Sequence, residues 1–314
     1  MSDPNVAEAA QPTVPIATAN NVPDHELVLE PDEQPSIASS TASVSSSILD
    51  YRRENGRTYH RYKDGKYNLP NDDREMDRLD LQHHMFLLSF NDKLGTAPPN
   101  DPGAKVGRVL DVGTGTGIWA MDFGDAHPEA DTFSQPFDYI HSRLMNSAVS
   151  DWKGYVQKCF ENLKPGGYLE LIEVDPFLNC DDGTLKPDHS VMKTLMLLME
   201  AAQKLGAAYQ DPKELKSMMI EAGFTDVIMQ QLKWPTNPWP KEKRYKELGM
   251  WGAENMDEGW EAICMAPLTR AFGWTREEVL LMMVQNRKDF HDKNIHAYIS
   301  IWAIHGKKPE EKAA

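Results

Sequence analysis

Arg108-Val-Leu-Asp-Val112, running at once into Gly113-Thr-Gly-Thr-Gly117 and then Ile118-Trp-Ala-Met-Asp-Phe123, decides the fold. The first segment reads as a short buried strand, the second as a tight turn, the third as the start of a helix reaching about His127. A strand that feeds a glycine turn and then a helix brings backbone N–H groups up to a ligand. Glycine is required there because a Cβ would block the approach and because some of the positions need φ > 0. The spacing is G-x-G-x-G, not the G-x-G-x-x-G of dinucleotide sites. The acid on the strand sharpens the choice: Asp111 would repel a pyrophosphate but attract an ammonium group, directly or through water. The methionine end of S-adenosylmethionine carries that ammonium, and its carboxylate can sit at the helix N-terminus. Asp111, Gly113, Thr114, Gly115, Thr116 and Gly117 are therefore the candidate cofactor-binding residues.

Working outward, Phe137–His141 is a second strand, Asp151–Leu163 a helix stopped by Lys164-Pro-Gly-Gly167, and Tyr168–Glu173 a third strand. This alternation implies a parallel sheet with crossover helices. Upstream, a helix from about Asp72 to Leu94 can be capped by Asn71 or Asp72, and Thr96-Ala-Pro-Pro-Asn-Asp-Pro-Gly103 is a linker of turn residues. Downstream come a helix over 187–205 and a second helix opened by Asp211-Pro212. Glu214 would complete a capping box there, and Gly223 would end the helix. A strand over 226–232, a helical insertion over 238–292 with a Thr275/Glu278 capping box, and a closing strand over 296–304 follow. The expected organisation is a tail over 1–48, an N-terminal helical cap over 49–103, a core over 104–306 carrying the insertion, and a charged tail over 307–314.

The net charge of -15 argues against direct nucleic-acid binding or a membrane surface, since phosphate contacts need clustered Lys and Arg. Residues 1–49 hold seven of the acidic residues and no Lys or Arg. That Ala-, Pro-, Ser- and Thr-rich stretch cannot bury enough apolar area to offset its ordering entropy, and a disordered tail is expected. No apolar run approaches the ~20 residues of a membrane span, and no signal-peptide pattern opens the chain. The expected compartment is cytosol or nucleus. Cys159, Cys180 and Cys264 are odd in number and far apart, with neither disulfide nor zinc spacing.

Several stretches together carry a resemblance. They are Glu54-Asn-Gly-Arg-Thr-Tyr-His60, Leu69-Pro-Asn-Asp72, Asp77-Arg-Leu-Asp80, His83-His84, Val109 through Ala120, Phe133-Ser-Gln-Pro-Phe-Asp-Tyr-Ile-His-Ser-Arg143 and Leu163-Lys-Pro-Gly-Gly-Tyr168. In these the chain resembles the fungal class I S-adenosylmethionine-dependent methyltransferases, which include the LaeA-like regulators of secondary metabolism and the trans-aconitate-methyltransferase-like proteins. The resemblance covers about residues 51 to 306. It implies an α/β, doubly wound, Rossmann-like sheet whose last strand is antiparallel, S-adenosylmethionine as cofactor, and methyl transfer to an acceptor that the motifs do not specify.

One part of that pattern is missing. Folds of this kind place two further strands beyond the glycine-turn strand, and the nearer ends in an acid that binds the ribose hydroxyls. Only 26 residues lie between Asp111 and Asp138, where a β–α–β excursion should add roughly 30 more. No Val/Ile-rich run ending in an acid intervenes; Asp131 falls at a tempting distance but has no strand to hold it. The expectation is a truncated sheet of five principal strands, with Val109–Val112 at an exposed edge and the adenosine half of the cofactor site open.

Other candidates are weaker. His141, with Ser142 and Arg143, lies at the C-terminal end of a strand, where open α/β sheets bind ligands. His141 could orient or deprotonate a substrate and Arg143 could hold an anionic one, although a packed, hydrogen-bonded histidine is the ordinary alternative. Tyr59 and His60 could fold over the cofactor as a lid or pack on the N-terminal helix. His83 and His84 point apart on a helix and have no carboxylate set for a metal. Glu170 and Glu173, three apart on a strand, face opposite sides. Trp234, Trp239, Trp251, Trp260 and Trp274 could line an apolar acceptor pocket or form ordinary core. The class-level alternative to an enzyme is a catalytically inactive relative serving a protein partner.

Overall fold

A computed structural model describes residues 51–61, 67–127, 136–146, 148–206 and 209–310. They belong to one compact unit running from Val44 to Ala314. The 1–48 tail and Asp131 lie outside the described residues. The described residues open with a hairpin not expected from the sequence reading: β1 (Arg52–Glu54) and β2 (Arg57–Tyr59) pair antiparallel around Asn55-Gly56. Both turn residues have positive φ, 51° and 83°, which is what a two-residue hairpin loop demands and what Asn-Gly supplies. The segment 49–103 is thus a hairpin plus a helix, not helix alone. α1 (Asp73–Phe90) is capped by Asp72, whose carboxylate accepts the Glu75 N–H and is clamped by Arg57 at 2.7 Å. It ends at Phe90, four residues short of the expected Leu94, with Asn91 capping it in the left-handed region.

The central sheet has five strands: β3 (Val109–Val112), β4 (Phe137–Arg143), β5 (Leu163–Asn179), β6 (Thr225–Pro235) and β7 (Tyr298–Lys307). Their spatial order is β3-β4-β5-β7-β6. β3, β4 and β5 run parallel, while β7 is antiparallel to both β5 and β6. β3 sits at the edge with all four residues only half-buried, and no strand pairs on its outer side among the described residues. The sequence placed β5 too short: it begins at Leu163 and runs through the Lys164-Pro-Gly-Gly167 stop, because Phe137 and β7 continue to pair with it. The 307–314 segment does not begin as a free tail. Lys307 is still in β7, and Lys308 bonds backbone carbonyls of Phe160 and Leu163 at 2.8 and 2.7 Å.

Helices cover both faces. α2 (Ile118–Ala126) links β3 to β4, and α3 (Trp152–Asn162) links β4 to β5. Adjacent residues of a strand face opposite sides, so Tyr139 and Ile140 mark the two faces of β4. On the Tyr139 face, Trp119 and Phe123 of α2 pack with Ala97 and Val106. On the Ile140 face, Trp152, Val156 and Cys159 of α3 pack with Leu169, Leu171, Leu215 and Met219. The last two belong to α5 (Leu215–Ala222), which follows α4 (Ser190–Lys204). The expected Asp211/Glu214 capping box is not formed. Asp211 caps a short 3-10 turn opened by Pro212, and Glu214 bonds Gln210 instead. α6 (Lys243–Phe272) and α7 (Arg276–His291) make a separate apolar cluster with α4, and α7 does open with the Thr275/Glu278 capping box. No helix among the described residues is long and apolar enough to cross a membrane.

Candidate functional site

The glycine turn lies where the sequence placed it, at the C-terminal end of β3. Gly113, Gly115 and Gly117 have φ of 75°, 58° and 84°, so all three occupy the region open to glycine. Gly113, Thr114 and Gly115 are exposed, Thr116 and Gly117 half-buried. The turn is closed by the Gly117 N–H donating to the Thr114 carbonyl at 2.9 Å. Gly117, the N-cap of α2, has no side chain to cap the helix, and the Ile118 N–H donates to the Thr116 hydroxyl at 3.4 Å. Gly113 has a second constraint: a Cβ there would overlap the Met145 sulfur.

Behind the turn stands a fixed dyad. The Nδ1–H of His141 donates to Oδ1 of Asp111 at 2.8 Å, across the register pair that joins β3 to β4. The His141 ring is fully buried and stacks on Trp119 at 3.8 Å with the planes 4° apart. Its Nε2 has no hydrogen-bond partner among the described residues. Burial pushes the Asp111 carboxyl up, but the His141 hydrogen bond, with help from Thr114 and Arg143, outweighs it and holds Asp111 below the ordinary carboxylate range. Asp111 is therefore an ionised, oriented acid whose side chain remains about one-tenth exposed. His141 is placed beneath it, packed and hydrogen-bonded, which is the ordinary alternative raised from the sequence.

Beside the dyad runs a chain of polar contacts that ties α1, α2 and β4 together. Asp122 of α2 accepts from His83 Nε2 at 2.9 Å, and His83 Nδ1 lies 3.2 Å from Nη1 of Arg143. A guanidinium can only donate, so Nδ1 accepts and His83 is neutral. Burial, opposed by Asp122 and reinforced by Arg143, lowers the His83 pKa accordingly. The next residue, His84, faces elsewhere and meets Trp251 edge-on at 5.2 Å.

Glu170 and Glu173 are both fully buried, on opposite faces of β5. Glu170 gathers the linker: Thr96 donates twice at 2.6 Å, and Ala97, Asn100 and Tyr139 add further bonds. Glu173 holds the loop after β4 by accepting the Met145 and Asn146 N–H groups at 2.8 and 3.1 Å. Burial without a cation drives its pKa up to about 8, only partly opposed by those two bonds. Tyr59 is buried under Arg270 of α6 at 5.1 Å, and burial with Glu54 nearby raises its pKa to about 12. No hydrogen bond or ring contact joins Tyr59 to the glycine turn among the described residues, so the structure places it in the hairpin–α6 packing. Trp234 and Trp260 are core, and Trp239 bonds the Ala297 carbonyl.

Sequence reasoning missed Trp119, the platform for His141, and the Asp122–His83–Arg143 chain. Trp119 stood visible in the helix after the turn; its partner 22 residues on did not.

A doubly wound sheet with an acid-tipped strand, a G-x-G-x-G turn and an antiparallel final strand defines a class I methyltransferase core. Residues 81–228 match the methyltransferase domain family. Methyltransferase pytC of Aspergillus terreus is 36% identical over 301 residues, covering 86% of this chain and 92% of that protein. The secondary metabolism regulator LAE1 of Cochliobolus heterostrophus is 32% identical over 292 residues, covering 82% of this chain and 95% of that protein. Among solved structures, the mycolic acid cyclopropane synthase CmaA1 gives a TM-score of 0.40 at 14% identity, covering 76% of this chain and 99% of that one. The chain belongs to the family of fungal methyltransferases and secondary-metabolism regulators that these relatives represent, and S-adenosylmethionine is its cofactor.

Proposed function

We propose that this chain is an S-adenosylmethionine-dependent methyltransferase core that keeps the methionine half of its cofactor site and lacks the adenosine half. The observation that carries the reading is the open glycine turn behind an oriented, ionised Asp111 on an edge strand. The cofactor supplies an electrophilic methyl group on a sulfonium. The chain's own part is to bind and orient. Amides of the turn and of the α2 N-terminus donate to a carboxylate, and Asp111 attracts the ammonium. On the far side of β3 there is no strand among the described residues to carry an acid to the ribose. Two charge-assisted hydrogen bonds forgone amount to roughly 3–6 kcal/mol, on the order of 10² to 10⁴ in affinity. The acceptor is a small molecule or protein, and the site of action is cytosol or nucleus without direct nucleic-acid contact.

A second reading draws on the same edge. An unpaired parallel strand offers backbone donors and acceptors to another chain, as in an inactive relative that works through a protein partner. Calorimetric titration with S-adenosylhomocysteine separates the two. Micromolar binding that falls at least tenfold in Asp111→Asn supports the enzyme; no detectable heat with folded protein supports the partner reading.

A further inference from the structure

Arg143 stands apart from the other arginines of the core. Arg57, Arg74, Arg78 and Arg270 are each held by an Asp or Glu within about 3 Å. Arg143 has no carboxylate within 4 Å among the described residues. Its polar contact is the neutral His83, and its guanidinium carbon lies 4.5 Å over the Phe86 ring. A guanidinium has five N–H donors, and His83 engages one. The side chain is only partly buried, so solvent still reaches it. Burial nonetheless pulls its pKa down to about 10, with Asp111 working the other way. An incompletely paired charge held in a low-dielectric setting is unfavourable unless an anion completes it.

Position says where that anion would lie. Arg143 ends β4, two residues beyond His141 on the same face of the sheet, at the C-terminal strand ends where open α/β sheets take ligands. α1 contributes His83 and Phe86, α2 contributes Asp122, and β3 contributes Asp111. A purely structural tether between α1 and the sheet would not need a guanidinium, because Phe86 already packs against Ile172, Ile301 and Ala303 of the sheet. The planar fork suits a carboxylate, which it can grip through two parallel bonds.

We propose that Arg143 is the carboxylate receptor of this site. The carboxylate belongs either to the amino-acid end of the cofactor or to the methyl acceptor; the second source would make the acceptor an organic acid. The location rests on the methyltransferase reading, but Arg143 can be tested apart from it.

The test uses the full chain, Arg143→Gln and Arg143→Lys, each checked by thermal melting. Three probes are titrated: S-adenosylhomocysteine, 5′-methylthioadenosine, which lacks the amino-acid end, and succinate followed by ligand-observed NMR. If the carboxylate is the cofactor's, Arg143→Gln weakens S-adenosylhomocysteine about tenfold to a hundredfold and leaves 5′-methylthioadenosine unchanged. If it is the acceptor's, S-adenosylhomocysteine is unchanged, while the succinate signal seen with the natural chain disappears in Arg143→Gln. Arg143→Lys, which keeps the charge and loses the fork, falls between and serves if the Gln variant does not fold. No S-adenosylhomocysteine binding together with Arg143-dependent succinate binding would sink the methyltransferase reading and leave this one standing. Folded variants that match the natural chain with all three probes overturn it.

Discussion

Replacing Glu173 by Gln should flatten the fall in stability with rising pH. Glu173 is fully buried, faces no cation among the described residues, and accepts the Met145 and Asn146 amides. Its pKa rises from the ordinary 4.5 to about 8 because burial disfavours the charged form. The sign follows from which state holds more protons. Between those two values the folded chain keeps the proton and the unfolded chain has lost it, so stability is fully present below 4.5 and drains away as pH climbs towards 8. One pKa unit corresponds to about 1.4 kcal/mol, so the natural chain should lose on the order of 4 kcal/mol between pH 4 and pH 8 through this group. Water entry at the loop would make the measured loss smaller. Gln has the same shape, never ionises, and still offers an oxygen to one or both amides. Urea unfolding at pH 5, 6, 7 and 8 on the two proteins cancels what other groups contribute. A Glu173→Gln slope equal to the natural one across that range would refute the assignment of a protonated carboxyl at this position.

Other expectations concern the site and the tail. Gly117→Ala should cost about 1 kcal/mol, the left-handed penalty less the gain from a stiffer unfolded chain. Gly113→Ala should cost more, about 2–4 kcal/mol, because its Cβ also overlaps the Met145 sulfur; equal losses in urea would show that Met145 moves aside freely. Trp119→Ala removes the platform under His141 and the bond to the Leu94 carbonyl, and should cost about 3–5 kcal/mol in thermal or urea unfolding. Trp119→Phe, losing only the indole N–H bond and part of the stack, should cost about 1–2 kcal/mol. Deleting residues 1–48 should leave Tm within about a degree, since that composition offers no core; a drop of several degrees would show that the tail packs on the rest.

What the sequence disclosed was local. The turn could be read because positive φ at three alternate positions writes itself into the chain as glycine, and the Thr275/Glu278 box because both partners lie within one helical turn. The Asn55-Gly56 hairpin was equally readable from its dipeptide, but its flanking strands are only three residues long and carry little apolar alternation. The Asp211/Glu214 signal failed for a local reason as well: Pro212 started a tighter turn and Gln210 captured the glutamate. Long-range pairings were not legible. Tyr59 meets Arg270 211 residues away, and nothing in Glu170 or Glu173 told which would be satisfied by five donors and which by two. Arg143 was named from the sequence for its position at a strand end, while its lack of a carboxylate partner emerged only from packing.

The placement of α2 and α3 on opposite faces has a consequence for chirality. The steps β3 to β4 and β4 to β5 run in the same direction across a parallel sheet, yet the first passes over the Tyr139 face and the second over the Ile140 face. Two crossovers that move the same way on opposite faces have opposite hands, so one of them is left-handed, in a setting where about 98% of such connections are right-handed. Reversing the direction of a step on a given face reverses its hand. A connection through α2 that stepped outward from β3, to a strand on the side now bare, would share the hand of β4–α3–β5. The sidedness of α2 thus points to the flank of β3 that no described strand occupies as the place its helix was shaped to serve.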